Sequence, residues 1–243
     1  MFADEVATYS QQQAMKILWD LEKFYDSIKV PKLIQRACEL GYPVQLLALG
    51  TQMHCAPRII RAYHHHVYCE HPANSIIAGR TQSNQFARIM LHTILEGTIN
   101  HVPTVKLRSF VDDICQTSYG SDALEDMIDS AKELVAGFKS SGLKISTKSK
   151  ILSTSREWGR VLARSLAKMG VTVTVTHQAK DLGIDSTLGI KRTTTTIKKR
   201  ILAGRRRTFR IKILRQATHK AAKLFPAGAM PQASVSVRAR SLC

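Results

Sequence analysis

The most regular hydrophobic pattern in the chain lies between residues 124 and 138. Leu124, Met127, Ile128, Ala131, Leu134, Val135 and Phe138 recur at three- and four-residue steps, which predicts an amphipathic helix with one buried face. Gly142 breaks it before a short strand-like LKIS. Upstream, the apolar run at 15–19 (MKILW) stops on Asp20, the pattern of a buried strand delivering a carboxylate at its C-terminal end. Pro31 opens a helical KLIQRACEL closed by Gly41, and Pro43 begins another through VQLLAL. Residues 57–78 read as irregular or extended. The next helix starts at 81–83, where hydroxyls are available for capping, runs through Phe86, Ile89, Met90, Thr93 and Ile94, and is expected to end at Gly97. Two extended pieces, VKLRSFV and ICQTSY, meet at Asp112 and Asp113, as in a hairpin with an acidic tip. A helix over 157–169, an alternating VTVTVT and a basic segment follow. The order strand, helix, hairpin, helix, strand predicts an α+β fold: a split β-α-β sheet with helices on one face.

Charge divides the chain differently. Of 36 Lys and Arg residues, 15 lie between 191 and 243, where none of the 18 Asp and Glu residues falls. The first 190 residues are thus nearly balanced, and the formal +18 resides mainly in the tail. Such a segment attracts polyanions and gains from counterion release, so nucleic acid is the expected partner, ahead of an anionic membrane. Cys38, Cys55, Cys69, Cys115 and Cys243 are odd in number, widely spread and without a C-x-x-C pair, which argues against a disulfide framework. With no signal core and no eighteen-residue apolar run, the expectation is an intracellular protein, and KKR and GRRR suit nuclear import.

Three aspartates carry the strongest chemical signal. Asp20 at a strand end and Asp112 and Asp113 at a hairpin tip become neighbours in the inferred sheet. Carboxylates gathered there repel unless a divalent cation lies between them, and Mg²⁺ (or Mn²⁺) favours one or two carboxylates plus phosphate oxygens. Two such ions can support nucleotidyl transfer. The plainer alternative is ordinary turn chemistry at Asp112 and Asp113 and a strand that merely ends at Asp20. Cys55, His64, His65, His66, Cys69 and His71 invite a zinc reading, but their spacing fits no finger, and a polar surface patch accounts for them better. Cys115, beside the acidic tip, reads as a small buried residue, and Asp26 as a helix-start helper.

Several segments, taken in order, resemble the palm of reverse transcriptases of the non-LTR retrotransposon and group II intron type. Asp20-Leu-Glu-Lys-Phe-Tyr25-Asp26 is similar to the first palm motif, which implies Asp20 as a metal ligand and Tyr25 as the ring that stacks under the incoming sugar and rejects ribonucleotides. Phe110-Val111-Asp112-Asp113 resembles the aromatic-x-Asp-Asp hairpin, with Asp112 the other essential ligand and Asp113 beside it. Gly142-Leu143-Lys144-Ile145-Ser146-Thr147-Lys148 looks like the following motif, whose lysine stands near the triphosphate; Lys148 and Lys150 both fit, and Lys148 is preferred as the general acid. Leu182-Gly183 resembles the primer-grip element. Where the family has Gly-x-Pro-Gln-Gly, this chain has Gly79-Arg80-Thr81-Gln82-Ser83, without the Pro or the second Gly; Gln82 is the counterpart of the nucleotide- or template-contacting Gln.

The resemblance spans roughly residues 14–185. It implies a palm over 1–155, and a primer-grip and basic, helical, thumb-like region over 156–243, with Lys198, Lys199, Arg205, Arg206, Arg207 and Arg210 as phosphate contacts. The implied activity is RNA-directed DNA synthesis from dNTPs on an RNA template with a DNA primer. Only nineteen residues precede Asp20, where the family carries a fingers subdomain, so a truncated element is expected, or fingers supplied by a separate chain. The rival expectation is a catalytically inactive nucleic-acid-binding remnant; a third is a palm polymerase that makes RNA.

Overall fold

A computed structural model describes residues 12–69, 74–181, 184–188 and 195–231. The chain combines helices with a mixed five-stranded sheet. Strand β1 (Ala14–Trp19) lies at its centre, flanked by β5 (Asp113–Tyr119) and β6 (Lys150–Ser153), with β4 (Lys106–Phe110) outside β5 and the short β7 (Thr174–Val175) outside β6. The first four strands pair antiparallel, while β7 joins β6 in parallel. Both β5 and β6 run against β1, so the helix connecting them, α5 (Ala123–Ser140), crosses over a strand already in place. Helix α4 (Ser83–His101) makes the matching crossover from β1 to β4. The result is the β-α-β-β-α-β arrangement expected from the order of the patterns.

One face of the sheet forms the core. Met15, Ile17, Trp19 and Leu21 point toward the helices and pack with Met127, Leu134 and Phe138 of α5, Phe86 and Met90 of α4, and Leu162 and Leu166 of α6 (Arg156–Lys168). Trp19 meets Phe138 edge-on at 6.3 Å, and its indole N–H donates to Gln116 Oε1 at 2.7 Å, leaving that amide to donate to Ser130 of α5. Three short helices, α1 (Phe24–Ser27), α2 (Val30–Glu39) and α3 (Val44–Cys55), connect β1 to a separate two-stranded ribbon, β2 (Arg58–Ala62) and β3 (His65–Cys69). The basic segment becomes α7 (Thr195–Ala217), followed by a 3₁₀ turn (His219–Lys223) and a π turn (Phe225–Ala229).

Several expected boundaries move. Helix α4 does not end at Gly97 but runs on to His101; no side chain crowds Gly97, and Pro103 disfavours helical geometry at Val102, which leaves it at φ -132, ψ 81 and ends the helix. The strand expected at LKIS is reduced to a single bridge, Leu21 to Ile145, because a turn over 146–149 separates it from the ladder; the ladder strand is the next segment, KILS. Of VTVTVT only Thr174–Val175 pairs. Within residues 57–78 the extended stretch is a regular hairpin. Leu182, Gly183, His71 and Cys243 lie outside the described residues.

Candidate active site

The face of the sheet away from the helices carries the acidic residues. In the β1/β5 register Trp19 is opposite Ile114, which brings the next residue, Asp20, to the level of Asp113. Phe110 pairs with Asp113, so Val111 and Asp112 form a two-residue turn. Val111 sits there at φ 59, a left-handed conformation that a β-branched residue occupies only when its surroundings enforce it. Val111 packs against the core and thereby anchors the turn.

The main chain at Asp20 is held from the other side. Its N–H donates to Ser149 Oγ at 3.0 Å, its carbonyl accepts from the Ser146 N–H at 2.8 Å, and Glu22 N–H donates to the Lys144 carbonyl at 2.8 Å. Residues 144–149 therefore clamp the Asp20 segment, although they do not form the strand foreseen there. Ser149 is fully buried. Lys148, on the adjoining turn, is exposed, its N–H donating to Ser146 Oγ at 3.2 Å. Lys150 belongs to β6 opposite Leu18.

Electrostatics tie these groups together. The Asp113 carboxyl is raised above the ordinary carboxylate value, first by partial desolvation and then by the negative charges of Asp112, Asp181 and Asp20. Among the described residues none of Asp20, Asp112 and Asp113 has an ion-pair partner. The Tyr25 hydroxyl is also raised, by burial and by the charge of Asp112, and it donates to Asn84 Oδ1 at 3.1 Å. Tyr25 thus stands within the field of the acidic turn, while Asn84 links it to the start of α4.

Two further residues frame the site. Lys16, on β1 four residues before Asp20, is 2% exposed, and its ammonium contacts Asp181 Oδ2 at 3.2 Å and Ser186 Oγ at 3.0 Å. These contacts pin the small hairpin β8 (Ala179–Asp181) and β9 (Ile184–Ser186) over the open face of the sheet, where Ala14, Leu152, Ala179 and Leu188 form a second apolar cluster. Sequence inspection missed Asn84, Ser149, Lys16 and Asp181. Lys16 alone carried a signal, as a charge inside the apolar run MKILW.

Gln82 is placed differently from the rest. Its Nε2 donates to the Leu46 carbonyl of α3 at 3.3 Å, and a methyl group added at Gly50 would come within 2.3 Å of its Oε1. The amide is therefore engaged with α3. The buried His54, near it on α3, accepts the Ile77 N–H on Nδ1 at 2.8 Å and packs on Phe86; burial, then Arg58 and Arg80, hold its pKa below the ordinary value.

On α7, Lys198, Lys199, Arg205, Arg206, Arg207 and Arg210 are all exposed. Lys199, Leu202, Ala203, Arg206, Arg207 and Arg210 line an open cavity of about 380 Å³. Arg207 also donates to the Gly228 carbonyl at 3.2 Å, bracing the π turn against the helix.

Among the described residues no three His, Cys, Asp or Glu side chains gather into a ready metal-ligand set, at the acidic turn or near the histidines. His64, His65 and His66 are exposed at the end of the β2/β3 ribbon, and Cys55 lies at the end of α3. Cys115 is buried, which raises its thiol pKa. No helix among the described residues is long and apolar enough to cross a membrane. No protein-family model matches the chain, and no curated protein does either.

Proposed function

We propose that this chain carries the palm of an RNA-directed DNA polymerase of the non-LTR retrotransposon and group II intron type. The observation that carries the reading is the juxtaposition of Asp20, at the end of the central strand, with the unpaired acidic turn Asp112–Asp113 on the neighbouring hairpin. The donor set fits Mg²⁺. Like charges already raise the Asp113 carboxyl, no cation of the described chain neutralises them, and Mg²⁺ completes its shell with water and substrate phosphate, so two carboxylates suffice. Asp20 and Asp112 would hold it, with Asp113 contributing charge. When bound, the metal activates the primer 3′ hydroxyl and neutralises charge developing on pyrophosphate.

The chain's own residues supply positioning. Ser149 and Ser146 fix the Asp20 main chain, so its carboxylate need not be organised anew for each nucleotide. Tyr25, held by Asn84 beside Asp112, offers a ring on which a sugar lacking a 2′ hydroxyl rests. Lys148, exposed on the clamp, is free to protonate the departing pyrophosphate. The exposed cations of α7 would hold the duplex backbone without reading its sequence.

The test is primer extension on an RNA template with dNTPs and Mg²⁺ or Mn²⁺. The chain should incorporate nucleotide, and Asp112→Ala should abolish incorporation while duplex affinity stays within about twofold, because phosphate contacts on α7 are untouched. Absence of incorporation in both, with salt-sensitive duplex binding retained, would support the second reading, a catalytically inactive nucleic-acid-binding remnant. That reading draws on one observation, the engagement of Gln82 with α3.

A further inference from the structure

The β2/β3 ribbon is separate from the main sheet, and no described residue covers its apolar side chains. Ile59, Ile60, Val67 and Tyr68 are 60–66% exposed, although they occupy both faces of the ribbon: Ile59 pairs with Tyr68, and Ile60 with Val67 on the opposite face. Tyr63, at the turn, is 93% exposed and adopts φ 56. A two-stranded ribbon is marginal by itself in water, and exposing aliphatic side chains on both faces adds a further cost unless a partner covers them. Each strand also has one outer edge that no described strand pairs, presenting alternating N–H and C=O groups.

The charge around the ribbon is one-sided. From Leu40 to Cys69 the sequence contains no Asp or Glu, with Glu70 directly after; Arg58 is engaged with the His54 carbonyl and Ser75 Oγ at 3.4 Å, so the exposed basic side chains of the ribbon are Arg61 together with His64, His65 and His66. We infer that the β2/β3 ribbon is a docking edge for an extended polypeptide segment that alternates apolar and acidic residues, added as a third strand. Alternating main-chain donors and acceptors match another peptide strand, and Ile59, Ile60 and Val67 offer aliphatic contact area. Nucleic acid would share the charge complementarity and would find stacking rings in Tyr63 and Tyr68, but it would leave Ile59, Ile60 and Val67, which neither stack on bases nor pair with phosphates, uncovered. A second copy of the chain is disfavoured, because each carries a formal net charge of +18 and approach of two such molecules is repulsive.

The experiment is selection of random displayed peptides on the 243-residue chain, followed by affinity measurement and amide hydrogen exchange with the selected peptides. The expected result is enrichment of alternating apolar and Asp/Glu sequences, slowed exchange at ribbon amides, and an affinity that falls about tenfold or more in Ile60→Asp. Arg61→Glu, which leaves the apolar contacts intact, should shift selection away from acidic peptides. Enrichment of basic or patternless peptides, affinity indifferent to both substitutions, or no enrichment would overturn the proposal. So would a concentration-dependent dimer dissolved by Ile60→Asp, which assigns the ribbon to a second copy. Slowed exchange at the ribbon on adding oligothymidylate, without any from peptide, would assign it to nucleic acid.

Discussion

The two hairpins make an instructive pair. Each closes on a two-residue turn, Tyr63-His64 in one and Val111-Asp112 in the other, and each holds a non-glycine residue in the left-handed region, at φ 56 and φ 59. What differs is the ground beneath them. The β4/β5 hairpin is one side of a sheet whose inner face rests on Trp19, Phe138 and Met127, whereas the β2/β3 ribbon has exposed faces and edges that no described strand pairs. The same local geometry is thus a rigid mount for carboxylates where a core supports it, and an unsatisfied surface where none does.

The contrast breaks most readily at the core. Trp19→Ala removes the ring against Phe138 and leaves the Gln116 amide without its buried donor; chemical denaturation should show a loss of about 3–5 kcal/mol. Ile60→Ala, on the uncovered ribbon, should change stability by less than about 0.5 kcal/mol. Equal losses at both positions would mean that the ribbon is packed in solution.

Next in size is the buried ammonium on β1. Lys16→Met strips Asp181 of its partner and should cost about 2 kcal/mol, below the usual figure for a buried pair because Asp181 is partly solvated. Adding Asp181→Leu should recover part of that loss. Urea titration of the single and double variants measures both, and an unchanged Lys16→Met midpoint would show that the β8/β9 hairpin is not pinned by this contact.

Relief of turn strain sharpens the comparison further. Tyr63→Gly should steady the ribbon by about 1 kcal/mol, since the Tyr63 side chain is 93% exposed, and the gain should register in ribbon amide exchange more than in the global midpoint. Val111→Gly should gain less, because it gives up contact with the core.

The smallest effects are in pH. His54 binds its proton less tightly folded than unfolded, so its stabilising contribution is complete above about pH 6.5 and disappears as pH falls through its depressed folded value. His54→Gln should flatten that slope in thermal melts. Asp113 is the opposite case: its raised folded value makes ionisation unfavourable to the fold, a penalty absent below the ordinary carboxylate range and fully present above the raised value. Asp113→Asn should therefore raise Tm at neutral pH and not at pH 3, and the proposed Mg²⁺ site further requires that this difference shrink on adding the ion.

Elements governed by local rules were legible in the chain. The period of α5, the hairpin at Asp112 and the strand ending at Asp20 all follow from spacing, and together they predict the split sheet. Contacts made across the chain left no local mark. Ser149 is one serine among many until the fold brings it to the Asp20 amide, and Asn84 has no distinction in sequence beside Gln82, the residue that the family resemblance singles out. Boundaries went astray where a residue acts through a neighbour: Pro103 rather than Gly97 stops α4, and the clamp at 144–149 displaces the expected strand by a few residues.

The central position of β1 has a consequence for how the molecule assembles. Its side-chain and main-chain partners arrive late: Gln116 is 97 residues beyond Trp19, and Ser149 is 129 beyond Asp20. During synthesis the strand emerges early and waits, its apolar face unpaired, until most of the sheet has left the ribosome. Folding should accordingly be slow and late, and a chain interrupted before β6 would expose MKILW as a sticky segment for chaperones.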